Sequence, residues 1–178
     1  MNLYILRHAS AGLRRPNPLL DSKRPLDKEG KKHCIQLAHV LNALNIQFDL
    51  IVSSPLKRCL QTASLVGTET GYESQIMHST ALAPEATLKD FQKLLRECSN
   101  RENLLVVGHN PNLTTFLGAL LVPGNSAAPA KVRLRKGTIA RVVLTRGPAT
   151  LQALLDPRAV RALYTTSTKS SRRKTSRK

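Results

Sequence analysis

Short apolar runs and amphipathic segments alternate along this chain. Residues 2–6 are apolar almost throughout, which predicts a buried parallel strand at the very start. From Asp27 the apolar positions Cys34, Leu37, Ala38, Leu41 and Leu44 recur at steps of three and four, which predicts a helix ending at Asn45. Residues 48–52 form the second predicted strand. Ser54 then suits a helix N-cap and Pro55 a first helical position, with Leu56, Leu60, Ala63 and Val66 running towards Gly67. Residues 75–77 predict a short third strand. Thr87 and Asp90 have capping-box spacing ahead of a helix that buries Leu88, Phe91, Leu94, Leu95 and Cys98. Residues 103–107 are the most apolar strand, followed by Asn110 as cap and Pro111 as the opening of another helix. Residues 132–144 and 151–155 predict late strands joined near Arg146-Gly147-Pro148, after a loop over 123–130.

Strand–helix alternation of this kind implies an α/β fold: a three-layer, doubly wound, mostly parallel sheet with helices on both faces. Right-handed crossovers bring the carboxyl ends of parallel strands to one edge. The boundary is expected at residue 156. Beyond it apolar periodicity fades after Leu163, and residues 157–178 are expected to be a basic, disordered tail. Residues 13–26, rich in proline and arginine, read as an irregular basic loop. Two readings of it stay open, a cover over a negatively charged ligand or a solvated loop.

Charge sharpens the picture. The 178 residues carry a formal net charge of +17, and residues 167–178 hold six basic residues and no acid. The remainder is still basic, which suits an anionic substrate or partner. Aromatic residues are only 3% of the chain and Trp is absent, which argues against base-stacking platforms for nucleic acid. Cys34, Cys59 and Cys98 have no CxxC spacing and read as reduced, mostly buried thiols. No apolar run nears the ~20 residues that span a bilayer, and the N-terminus lacks the pattern of a signal peptide. A cytoplasmic location is expected.

The candidate chemistry lies at the strand ends. Arg7 and His8 follow the first strand, Arg58 sits in the first turn of the helix after the second, and His109 follows the fourth. A helix start already favours anions through free N–H groups and its dipole. An arginine there has the wrong sign to compensate that dipole, so a ligand role explains it better. Two guanidinium forks match phosphate oxygens, and a neutral histidine can attack phosphorus. Arg7 and Arg58 are expected to lower the pKa of His8 and keep it neutral. His109, if protonated, would add a donor. No metal and no cofactor are called for, since the positive charge is in the protein and magnesium-type carboxylate clusters are missing at these junctions. His33 and His39 lie on the first helix, away from the strand ends, and read as surface or packing residues.

Leu6-Arg7-His8 resembles the signature of the histidine phosphatase superfamily, which includes the phosphoglycerate mutases, with Ala9 in place of the usual glycine. Ser53-Ser54-Pro55 followed by Arg58-Cys59-Leu60-Gln61-Thr62-Ala63 resembles its second arginine segment, and Val106 to Pro111 its second histidine segment. Arg24-Pro25-Leu26 before Gly30, and Lys136 to Ala140, are similar more narrowly to the short SixA-type phosphohistidine phosphatases. The likeness runs over residues 1–156. It implies a phosphoglycerate mutase-like fold, His8 as a nucleophile that becomes phosphohistidine, Arg7, Arg58 and His109 as phosphate ligands, and no metal or cofactor. The general acid used by most of the superfamily has Glu85 as its nearest counterpart here.

Leaving groups bear on that weak point. An alkoxide needs protonation to leave, its parent water having a pKa of about 15.7, whereas the conjugate acid of imidazole lies near about 6.5. A missing acid therefore costs ester hydrolysis more than P–N hydrolysis. Three readings result: a protein phosphohistidine phosphatase, a phosphatase for small phosphate esters, and a non-enzymatic polyanion-binding protein on a vestigial phosphatase fold. In any of them the tail is expected to make weak polyanion contacts.

Overall fold

The computed structural model describes residues 1–124 and 131–175, with side-chain surroundings as far as residue 166. Strand β1 (Asn2–Arg7) is followed by a short helix α1 (Pro18–Ser22) and by α2 (Lys28–Ala43). Then come β2 (Leu50–Ser53), α3 (Lys57–Glu69), β3 (Met77–His78), a 3-10 turn (Thr80–Leu82), α4 (Leu88–Glu97), β4 (Asn103–Gly108) and α5 (Asn112–Leu121). The chain closes with β5 (Ile139–Val143), β6 (Thr150–Leu155) and α6 (Pro157–Thr175).

The sheet has the order β3-β2-β4-β1-β5-β6. β3, β2, β4 and β1 are mutually parallel, and β5 runs antiparallel to both β1 and β6. Alternate residues of each strand feed opposite cores, as the pleat dictates. Tyr4, Leu6, Leu105 and Val107 meet Leu37 and Leu41 of α2 and Ala63 and Val66 of α3. Leu3, Ile5, Leu104 and Val106 meet Phe91 of α4 and Leu113 and Leu117 of α5. Phe91 and Phe116 stack with ring centroids 4.6 Å apart across that second layer. Helices on both faces of a mostly parallel sheet are thus the architecture.

Local chemistry sets the helix starts. Asp27 accepts a hydrogen bond from Gly30 N at 2.7 Å and caps α2. Thr87 and Asp90 form the expected capping box of α4. At α3 the expectation needs correcting. The helix starts at Lys57 rather than Pro55, and Leu56 is a cap without a side-chain bond, while the Ser54 hydroxyl meets His109 and accepts from Leu56 N at 3.4 Å, ahead of the helix. Similarly α5 begins at Asn112, one residue after Pro111.

Three further expectations change. The basic loop contains α1, capped by Asn17, whose side chain accepts from Leu19 N at 2.9 Å. The third strand is Met77–His78, shifted towards the C-terminus. The segment from Pro157, expected as a disordered tail, is helical, and Val160 is fully buried in the core beneath α2. Asp156 starts α6, accepting from the backbone N–H groups of Arg158 and Ala159. The side chains beyond residue 166, residues 125–130 of the expected loop and residues 176–178 of the expected tail lie outside the described residues. Among the described residues no helix is long and apolar enough to cross a membrane.

Candidate active site

Register places the first three groups. Arg7 of β1 pairs with Gly108 of β4, and Ser53 of β2 pairs with Val107. The chain is thus level at three adjacent strand ends. His8 N donates to Gly108 O at 3.1 Å, and Ser54 N donates to Val107 O at 2.9 Å. The His8 and His109 rings face each other with centroids 5.1 Å apart. Arg58 enters from the first turn of α3. Arg7, His8, Arg58 and His109 all line one cavity of about 1200 Å³.

The side chains are held from behind. His8 Nδ1 donates to Ala9 O at 2.8 Å, and since a carbonyl can only accept, the proton sits on Nδ1. Nε2 then carries the lone pair. Arg7 donates from one terminal nitrogen to Leu134 O at 2.8 Å, and Asn110 Nδ2 donates to the same carbonyl at 2.9 Å. Arg58 donates to Asp21 O at 3.0 Å and to Asp21 Oδ2 at 3.3 Å. The Nε atoms of both arginines are buried without a hydrogen-bond partner. A buried unsatisfied donor is costly, and two in one basic cavity are well matched to an oxyanion.

Burial is the largest cause of the low pKa of both histidines. His8 is pushed down to about 3, by burial first and then by Arg58, Arg7 and Lys136. His109 is also pushed down to about 3, by burial and then by His8, Arg58, Arg7 and Arg24. The expectation for His8 holds in direction, but the low dielectric outweighs the arginines. Burial, His8 and the two guanidinium groups thus favour the neutral form of the His109 ring. Its Nε2 shares a hydrogen bond with Ser54 Oγ at 2.8 Å, and Cys59 Sγ lies 3.3 Å away. Burial pushes the Cys59 thiol up to about 12, so it stays protonated.

The surrounding motif residues act as fasteners. Thr62 Oγ1 donates to Arg58 O at 2.7 Å and accepts from Ala9 N at 3.1 Å, joining the Arg58 helix to the His8 loop. Gln61 Oε1 accepts from Leu26 N at 2.8 Å. Gly30 must lack a side chain, because a Cβ there would fall 2.0 Å from Ser10 O. Gly137, with φ +79°, donates from its N–H to the carbonyls of Arg7 and His8, while its own carbonyl lies 2.8 Å from His33 Nε2. His33 therefore packs behind the site, as a packing histidine.

Glu85 is exposed and lines the same cavity. Its loop is pinned by Asn112 Nδ2, which donates to the carbonyls of Ala83, Pro84 and Ala86 at 2.9 to 3.1 Å. Sequence reasoning missed Asp21 and marked Arg24 and Lys136 only as motif residues; all three also face the cavity. Asp21 binds Arg24 Nε at 2.9 Å as well as Arg58. Nothing in the local pattern marks Asp21 as the partner of an arginine so distant in sequence. Among the described residues, His, Cys, Asp and Glu side chains do not gather in a group able to hold a metal ion.

The model of the histidine phosphatase superfamily (branch 1) matches residues 3–83. An uncharacterised protein of Picosynechococcus sp. is 32% identical over 159 residues, covering 88% of this chain and 92% of its own length. The phosphohistidine phosphatase SixA of Escherichia coli is 28% identical over 128 residues, covering 71% of this chain and 77% of its own. The solved structure of the protein histidine phosphatase SixA complexed with tungstate superposes with a TM-score of 0.77 at 26% identity. It covers 88% of this chain and 97% of that one.

Proposed function

This chain belongs to the histidine phosphatase superfamily and is a phosphatase, and on that premise we propose that it hydrolyses phosphohistidine in proteins through a covalent intermediate on His8. The observation that carries this reading is the pair of buried, unpartnered Arg7 and Arg58 Nε donors beside a neutral His8 whose Nε2 lone pair is free. Phosphate oxygens take up the guanidinium forks, which offset the charge that builds on the equatorial oxygens.

His8 Nε2 attacks phosphorus, the P–N bond of a substrate ring protonated on its other nitrogen breaks, and neutral imidazole leaves with the electron pair of that bond. Water then attacks the phosphorus of phospho-His8. The N–P bond breaks, inorganic phosphate departs, and the His8 lone pair is restored. His109 and Ser54 flank the second strand end and orient the transferring group. An anion in the cavity raises the pKa of His109, so that the neutral ring becomes a charged donor as the dianion arrives.

The open rim and the absence of a buried acid among the described residues favour a good leaving group over an alkoxide. SixA of Escherichia coli is named for phosphohistidine, which supports the same choice. The test is turnover of a phosphohistidine protein against an alkyl phosphate ester at equal concentration. Faster turnover of the ester would move the assignment to small phosphate esters.

A further inference from the structure

The loop before α2 is fastened to the phosphate site and displays leucines to solvent. Leu13 is 93%, Leu19 76% and Leu20 52% exposed. Helix α1, which carries the last two, buries no residue at all. A five-residue helix that contributes nothing to the core is yet held firmly. Asp21 accepts from Arg58, from Arg24 and from the Arg15 backbone N–H at 3.0 Å. Arg24 also donates to Gly12 O at 2.7 Å. The loop is therefore tied, through Asp21, to an arginine that faces the phosphate cavity. Arg14 and Arg15 are exposed on the same loop and line that cavity.

We propose that α1 and the adjoining Leu13-Arg14-Arg15 segment form the docking surface for the phosphorylated protein, reading apolar and acidic side chains beside the phosphohistidine. The inference rests on the phosphohistidine reading above and names the partner surface of that same site. Charge decides the occupant. Six Lys and Arg residues line the cavity against Asp21, Asp27 and Glu85, so an acidic segment is attracted. A second copy of this chain, at +17, is repelled. Apolar contact with the leucines then supplies what charge alone does not, a preference for particular flanking residues.

The test uses two synthetic phosphohistidine peptides, one flanked by Glu and Leu and one by Lys and Ser, together with free phosphohistidine. The variant is Leu19→Gln/Leu20→Gln, which keeps helix propensity and touches nothing in the cavity. The wild type is expected to favour the Glu/Leu peptide by about tenfold in kcat/KM, mainly through KM. The variant is expected to lose most of that preference while keeping its rate on free phosphohistidine. Equal rates on the two peptides, or an equal drop on free phosphohistidine, would overturn the docking surface. So would leucine-dependent self-association in sedimentation, or leucine-dependent binding to phosphatidylserine vesicles. If the wild type cleaves an alkyl phosphate ester and neither peptide nor free phosphohistidine, the functional reading itself has failed and the docking surface falls with it.

Discussion

The floor and the rim of the cavity are built in opposite ways. On the floor, His8 and His109 are buried at the ends of adjacent strands, and Arg58 is buried in the first turn of α3. On the rim, Arg14, Arg15, Glu85 and Lys136 are exposed and sit on loops. The floor is positioned by sheet register and by hydrogen bonds to backbone carbonyls. The rim is positioned by a few polar bonds, chiefly those of Asp21, Arg24 and Asn112. Chemistry that tolerates little displacement sits where the core determines the geometry. Selection among substrates sits where sequence can change without disturbing the fold.

The largest expected effect tests the floor. His8→Ala should lower turnover of every phosphate compound by at least about 10⁴-fold, because in the proposed mechanism His8 carries the phosphoryl intermediate. Acid-labile labelling of the protein during turnover should vanish with it. Arg58→Ala comes next, with a loss of about 10²- to 10³-fold in kcat. Arg14→Ala on the rim should cost no more than about threefold and should lose its effect at high salt, as an exposed charge does. Equal losses for Arg58 and Arg14, measured by steady-state kinetics at two ionic strengths, would erase the distinction.

Stability against pH sharpens the same contrast. The floor histidines titrate at about 3 in the folded chain and near about 6.5 when unfolded. Between those values the unfolded chain binds more protons, so stability rises with pH there. The stability is complete above the unfolded pKa and is lost as pH falls through the window. Each histidine contributes a slope of up to about 1.4 kcal/mol per pH unit. His33, lowered by burial as well, adds to it. Urea unfolding from pH 6.5 to 4.5 should show this slope, and His109→Asn should reduce it by about one histidine's share. An unchanged slope in that variant would mean that the floor is wetter than its burial implies.

This division also decided what could be read from sequence. Arg7, His8 and His109 end or directly follow short apolar runs, and Arg58 lies just after Ser53-Ser54-Pro55 at the end of another, so the topology itself points to their meeting. What escaped prediction depends on long-range contacts. Asp21 is one acid in a proline- and arginine-rich stretch, and α1 is too short for any periodicity to show. Helix α6 is polar but for a few residues, and within its described part only Val160 is fully buried. A single apolar anchor gives no amphipathic signal, so the segment reads as tail. The start of α3 differs from the expectation because the Ser54 hydroxyl, shared with the distant His109, accepts from Leu56 N and not from a helical residue.

The smallest expected effect is at Glu85, where floor and rim meet. It is exposed, and its loop is pinned by Asn112. If the leaving group is a neutral imidazole, its other ring nitrogen already protonated, its conjugate acid lies near about 6.5 and departure needs little help from an enzyme acid. Glu85→Gln should then change kcat on phosphohistidine by no more than about twofold, because the nucleophile and both arginines are untouched. On an alkyl phosphate ester the leaving oxygen needs a proton, and positioned acids contribute about 10²- to 10⁴-fold where they act. A carboxyl on a loop this open should give the low end of that range at most. Comparing the two substrates in one variant cancels any small change in folding or cavity shape, since such a change would slow both reactions alike. A Glu85→Gln protein slowed equally on both would place the acid among the floor residues, and the leaving-group argument for phosphohistidine would lose its support.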